Sequence, residues 1–167
     1  MATTIPADAD GKGPRRMSDQ VAPLLAERAC ERLVLEYARL VDSGQAADVA
    51  DLFTDDGEWL GADGRGMHGQ QEIRAAFTAR QAVTRRQSRH VMTNVIVDVD
   101  GPDTATGIAY LVNFRHDADG AVAAHPAPAD HPKFVGDYHL TFRRIGERWY
   151  IATLRFDLAF LRRHRDS

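Results

Sequence analysis

Apolar residues in this chain change their period once, near Arg86, and that change restricts the fold more than any other feature. Before it they recur every three or four residues. Cys30, Leu33, Val34, Tyr37 and Val41 fall on one face of a helix predicted from Ala22 to Ser43. Gly44 supplies its stop signal. A short second helix is expected from Ala46 to Phe53, broken by Asp55-Asp56-Gly57, and a short strand over Glu58–Leu60. The stretch Gly61 to Gly69 carries four glycines and reads as a loop. A third helix, Gln70 to Thr84, puts Ile73, Ala76 and Phe77 on one side.

Beyond Arg86 the pattern becomes strand-like. Val91, Val95, Val97 and Val99 alternate with other residues, and Asp100-Gly101-Pro102 makes a turn. Thr104 to His116 is a second long strand, and Asp117 to Pro132 is a long loop rich in Ala, Pro, Asp and His. Lys133–Arg144 and Arg148–Leu161 are two further strands, joined by a tight turn at Ile145-Gly146-Glu147. Helices first and antiparallel strands last predict an α+β domain, a cone-shaped barrel with N-terminal helices packed on a curved sheet. Val91 and Val95 are expected on one face of their strand and Met92 and Ile96 on the other. One apolar face should cover a pocket. The other calls for a partner, so a homo-oligomer, dimer or trimer, is expected.

Composition narrows the function classes. The length of 167 residues suits one domain with a real core. A formal charge of -3 gives no basic field for nucleic acid. No apolar run approaches the roughly 20 residues that cross a bilayer. Residues 1–17 are small and polar and lack the apolar stretch of a signal peptide, which predicts a disordered tail on a cytoplasmic protein. The domain is expected over residues 18–161, followed by a basic tail over 162–167 with Arg162, Arg163 and Arg165. Cys30 is the only cysteine, which excludes an internal disulfide and a cysteine-based zinc site. Its apolar helical neighbours make it a buried thiol. His116, His125, His131 and His139 match no familiar metal spacing, and no metal is expected. The glycine loop lacks a Lys-Ser or Lys-Thr signature, so it is not a phosphate cradle.

Three runs resemble the nuclear-transport-factor-two-like superfamily: Glu36-Tyr37-Ala38-Arg39-Leu40-Val41-Asp42-Ser43-Gly44, Leu52-Phe53-Thr54-Asp55-Asp56-Gly57, and His68-Gly69-Gln70-Gln71-Glu72-Ile73. Ser88-Arg89-His90-Val91-Met92-Thr93-Asn94 is similar to its SnoaL-like branch, which includes scytalone dehydratase, bile acid dehydratase and a hexachlorocyclohexane dehydrochlorinase. The resemblance covers roughly Ala22 to Phe160. It implies a cone whose interior brings Asp42, closing the first helix, against His90, opening the first long strand. The chemistry needs such a pair. A neutral imidazole, with an ordinary pKa of about 6.5, accepts a proton near neutral pH. A carboxylate on its other nitrogen fixes the tautomer and stabilises the imidazolium. The same residue then returns the proton to a leaving hydroxyl.

Other positions follow from the same resemblance. Tyr37 matches a substrate-contacting tyrosine and would donate a hydrogen bond to a carbonyl, although it is equally an amphipathic core residue. Asn113 stands where the bile acid dehydratase carries an aspartate, a departure, since an amide is not a base. Tyr138 stands near a substrate-binding asparagine of scytalone dehydratase, another departure. Gly61 occupies the place of the ketosteroid isomerase aspartate. Phe53, Trp59, Met92, Phe114 and Phe156 are core candidates, and Phe53, Trp59, Met92 and Phe156 are also expected to line an apolar pocket. The implied activity is a cofactor-free lyase of the dehydratase kind, with Asp42, His90 and Tyr37 catalytic, acting on a small hydrophobic, carbonyl-bearing polyketide, steroid-like or aromatic substrate. A cyclase, an isomerase or a non-catalytic subunit like those of ring-hydroxylating dioxygenases remains open, because one fold hosts many functions.

Overall fold

A computed structural model of the chain describes residues 17–162 apart from positions 121, 123 and 130. The predicted tails therefore lie outside the described residues over 1–16 and 163–167, and Met17 already belongs to the first helix. Helix α1 runs Met17–Asp42. Cys30, Leu33, Val34, Tyr37, Leu40 and Val41 are its buried face, as the spacing requires. Burial pushes the Cys30 thiol up to about 12. The helix ends in a Schellman turn: Gly44 takes φ +78° and the Gln45 N–H bonds the Leu40 carbonyl at 3.1 Å.

The next segment, Ala46–Leu52, is a 3₁₀ helix, and it buries Ala46, Val49, Ala50 and Leu52. Strand β1 (Phe53–Leu60) begins five residues earlier than the expected strand. The glycine loop is not wholly loop, because β2 (Gly66–His68) pairs antiparallel with β1 inside it. Three residues, the first a glycine, carry too little alternation to read as a strand. Helix α2 (Gln70–Gln81) stops three residues short of the predicted end. Strands β3 (Arg86–Val99), β4 (Thr104–Asp117), β5 (Phe134–Ile145) and β6 (Arg148–Leu161) follow. His90 thus lies inside β3 rather than opening it.

The strand order is β2-β1-β6-β5-β4-β3. Only β1 and β6 run parallel. The fold is α+β as expected, but the sheet is open, with β2 and β3 as its edges, and does not close into a barrel. Both helices pack on its inner face, α1 against β3 and β6 and α2 against β1 and β2. The core between them includes Phe53, Leu111, Phe142, Ile151 and Leu154. No helix among the described residues is long and apolar enough to cross a membrane.

Irregular pairings bend the sheet. Between Thr93 and Ile96, β3 has one residue more than β4, and Asn94 at that bulge takes φ +51°. A bulge swaps the faces beyond it. Met92 and Val95 therefore both pack against the core, while Val91 and Ile96 are both exposed. This corrects the predicted pairing of faces, which assumed unbroken alternation. On β5, Gly136 lets β6 come close: a Cβ there would stand 2.2 Å from the Asp157 carbonyl oxygen and 2.6 Å from the Phe156 ring.

Candidate active site

Asp42 is the last residue of α1, where the helix dipole disfavours a negative charge. Hydrogen bonds from β3 offset that. The His90 backbone N–H donates to Asp42 Oδ2 at 2.6 Å, and the Ser88 hydroxyl donates to Oδ1 at 3.0 Å. His90 Nδ1 lies 2.7 Å from Oδ1. An ionised carboxylate only accepts, so Nδ1 carries the proton and Nε2 keeps its lone pair. The pair is shielded from water, with 12% of the His90 side chain and 10% of that of Asp42 exposed.

Two residues that the sequence reading passed over complete this network. Arg80, in the last turn of α2, donates from Nη2 to the Ser88 hydroxyl at 2.9 Å. Ser88 therefore accepts from a guanidinium and donates to Asp42. Ser88 is itself buried. Nothing in the local sequence marks Arg80, which reads as a solvated helix end. The one available signal is that Ser88 and His90 share a face of β3.

The structure gathers most of the other candidate residues nearby. Tyr37 Oη accepts from Trp59 Nε1 at 3.0 Å, and the Tyr138 ring stands beside it. An indole N–H only donates, so the Tyr37 O–H is left to donate elsewhere. Burial pushes the phenol pKa of Tyr37 up, and that of Tyr138 well up, with the Asp42 charge adding to both. The Tyr37 ring meets Phe77 and Tyr138 edge-on at 5.9 and 5.7 Å between centroids. Phe156 extends the cluster through Tyr138 at 5.4 Å. Asn113 sits directly across from His90 in the β3–β4 ladder, so the two side chains share a face. It is buried, and its Oδ1 has no hydrogen-bond partner.

Two open grooves flank this region, where the sequence predicted a buried pocket. One of about 380 Å³ runs between α1 and β3, with Asp42, His90, Met92 and Arg39 in its walls. Another of about 460 Å³ includes Trp59, Met67 and Phe156. Tyr37, Phe77 and Tyr138 are buried. Phe53 lines neither groove. It is wholly buried in the core where β1 begins, which corrects its place among the pocket residues.

Residues 22–155 match the SnoaL-like domain family. The chain belongs to that family. Solved structures agree with this SnoaL-like assignment in fold. A candidate scytalone dehydratase from Novosphingobium aromaticivorans is 17% identical, with 89% of this chain and 93% of that one covered and a TM-score of 0.73. A protein of the same organism, described as NTF2-like with a cystatin-like fold, is 26% identical over 87% of this chain and 92% of that one, with a TM-score of 0.71. A hexachlorocyclohexane dehydrochlorinase is 15% identical over 86% of this chain and 91% of that one, also with a TM-score of 0.71. No curated protein matches the SnoaL-like chain at a significant level.

Proposed function

We propose that the chain is a cofactor-independent lyase of the dehydratase kind, acting on a hydrophobic, carbonyl-bearing substrate. The observation that carries this reading is the 2.7 Å contact between His90 Nδ1 and the shielded carboxylate of Asp42. It fixes Nε2 as the base. Nε2 removes the proton next to the carbonyl, and the electron pair moves onto the carbonyl oxygen as an enolate. The O–H of Tyr37 donates to that oxygen. The electron pair then returns to form the double bond as the β-hydroxyl leaves, and the imidazolium gives it the proton, so that water departs. Asp42 balances the imidazolium charge meanwhile. A purely structural module has no need of a carboxylate at the C-terminal end of α1, where it costs helix stability. The similarity to a candidate scytalone dehydratase and to a dehydrochlorinase supports elimination as the reaction class.

The test is a panel of cyclic and aromatic β-hydroxy ketones, followed by mass spectrometry for loss of water. Turnover that disappears in both His90→Ala and Asp42→Asn supports the lyase. Equal turnover by wild type and both variants removes it.

A further inference from the structure

Arg80 is half-buried and makes one hydrogen bond among the described residues, to the hydroxyl of Ser88. A guanidinium carries five N–H donors. No anion among the described residues pairs with it directly. Arg86 and Arg115 also face this corner, and both are committed to Asp117, at 2.6 Å from Arg86 Nε and 2.6 Å from Arg115 Nη2. Asp42 is committed to Ser88 and His90. No described carboxylate comes within ion-pair distance of Arg80. The corner thus holds three guanidiniums against two carboxylates, one positive charge in excess with His90 neutral. Burial pushes the guanidinium pKa of Arg80 down, with Arg86 and Arg115 adding to the effect and the more distant charges of Asp42 and Asp117 only partly opposing it. A desolvated cation of this kind gains when an anion arrives.

Two further observations say what kind of anion. Phe77 lies one turn before Arg80 on the same face of α2, and its ring packs edge-on against Tyr37 and Trp59. An aromatic cluster and a guanidinium with donors to spare therefore stand side by side, and Trp59 carries the cluster to an open groove. Asn113, two residues along β4 from Arg115, leaves a buried Oδ1 without a partner, an acceptor aimed at a donor that the protein does not supply.

We propose that this corner is a carboxylate-binding subsite, in which Arg80 holds the acid group of a hydrophobic organic acid whose ring lies on Trp59, the groove-facing edge of the Phe77–Tyr37–Trp59 cluster. The inference rests on the proposed lyase site for its location, and it narrows the substrate from any hydrophobic carbonyl compound to one that bears a carboxylate.

The test reads binding alone. 2-Naphthoate is titrated into the full-length protein by calorimetry beside its neutral isostere 2-naphthamide, at low salt. The expected result is at least tenfold tighter binding of the acid. Arg80→Gln brings the ratio to about one, and Arg80→Lys restores part of it, with circular dichroism checking that each variant is folded. Equal affinity of wild type for acid and amide, no binding of naphthoate at millimolar concentration, or an unchanged ratio in folded Arg80→Gln overturns the proposal. Ser88→Ala separates binding from propping. An acid preference that survives it supports direct contact by Arg80, and one lost as fully as in Arg80→Gln overturns it. Protein that binds the acid selectively but dehydrates nothing retains this subsite and removes the lyase reading. Dehydration without acid selectivity does the reverse.

Discussion

The carboxylate of Asp42 holds His90 at two points, its backbone N–H through Oδ2 at 2.6 Å and its ring Nδ1 through Oδ1 at 2.7 Å. The two contacts fix both the strand and the ring against the end of α1. Asp42→Asn keeps the shape but lets an amide N–H face Nδ1, which moves the ring proton to Nε2 and removes the base. His90→Ala removes the base outright. Each variant is expected to lower turnover by about 10²–10⁴-fold, the usual span for general acid–base catalysis, with an unchanged far-ultraviolet circular dichroism spectrum. Steady-state kinetics on whichever β-hydroxy ketone is turned over checks this.

Tyr37 carries a different load. Its oxygen accepts from Trp59 Nε1, so Tyr37→Phe strands that donor in a buried aromatic cluster. A buried donor left without an acceptor costs about 1–3 kcal/mol. The variant is therefore expected to lower the urea midpoint as well as turnover. Trp59→Phe, which removes only a donor, is expected to cost less. A Tyr37→Phe protein as stable as wild type would show that the bond from Trp59 to its oxygen contributes nothing.

Much of the fold was legible because its signals are local. The glycine after α1, the Ile145-Gly146-Glu147 turn and the ends of β6 all follow from neighbouring residues. The face swap in β3 was not legible, because an asparagine at positive φ leaves no trace in an alternating pattern. The short β2 was hidden by its glycines. Periodicity placed Asp42 and His90 on separate elements, and only the family resemblance implied their meeting. Arg80 could not be read at all, since its role depends on Ser88, which reaches it from another element.

Gly136 tests how the sheet bends. A methyl group there meets the Asp157 carbonyl oxygen at 2.2 Å, and backbone cannot rotate out of the way. Gly136→Ala must push β5 from β6 or displace Phe156, whose ring edge lies within 3 Å of the added atom. Overpacking typically costs about 1–3 kcal/mol, and the backbone clash argues for the upper part of that range. Urea unfolding is the measurement. Because Phe156 also packs on Tyr138, weaker binding in the Trp59–Phe156 groove is expected alongside the lost stability.

Burial of Tyr37 and Tyr138 makes stability depend on alkaline pH in a defined direction. Both phenols ionise less readily in the folded chain than at their ordinary value of 10.0, because burial penalises the phenolate. Above about pH 10 the unfolded chain releases protons that the folded chain keeps, so unfolding is favoured as pH rises. The stabilisation is whole below pH 10 and falls by about 1.4 kcal/mol per pH unit for each tyrosine that holds its proton. Two such groups predict a loss that steepens as pH rises above 10. Tyr138→Phe is expected to lessen the slope by removing one of them. Absorbance at 295 nm gives an independent reading: at pH 11 the native protein should show fewer ionised tyrosines than the urea-unfolded chain. A stability curve flat to pH 11, or a slope unaltered by Tyr138→Phe, would mean that the two hydroxyls reach water in solution.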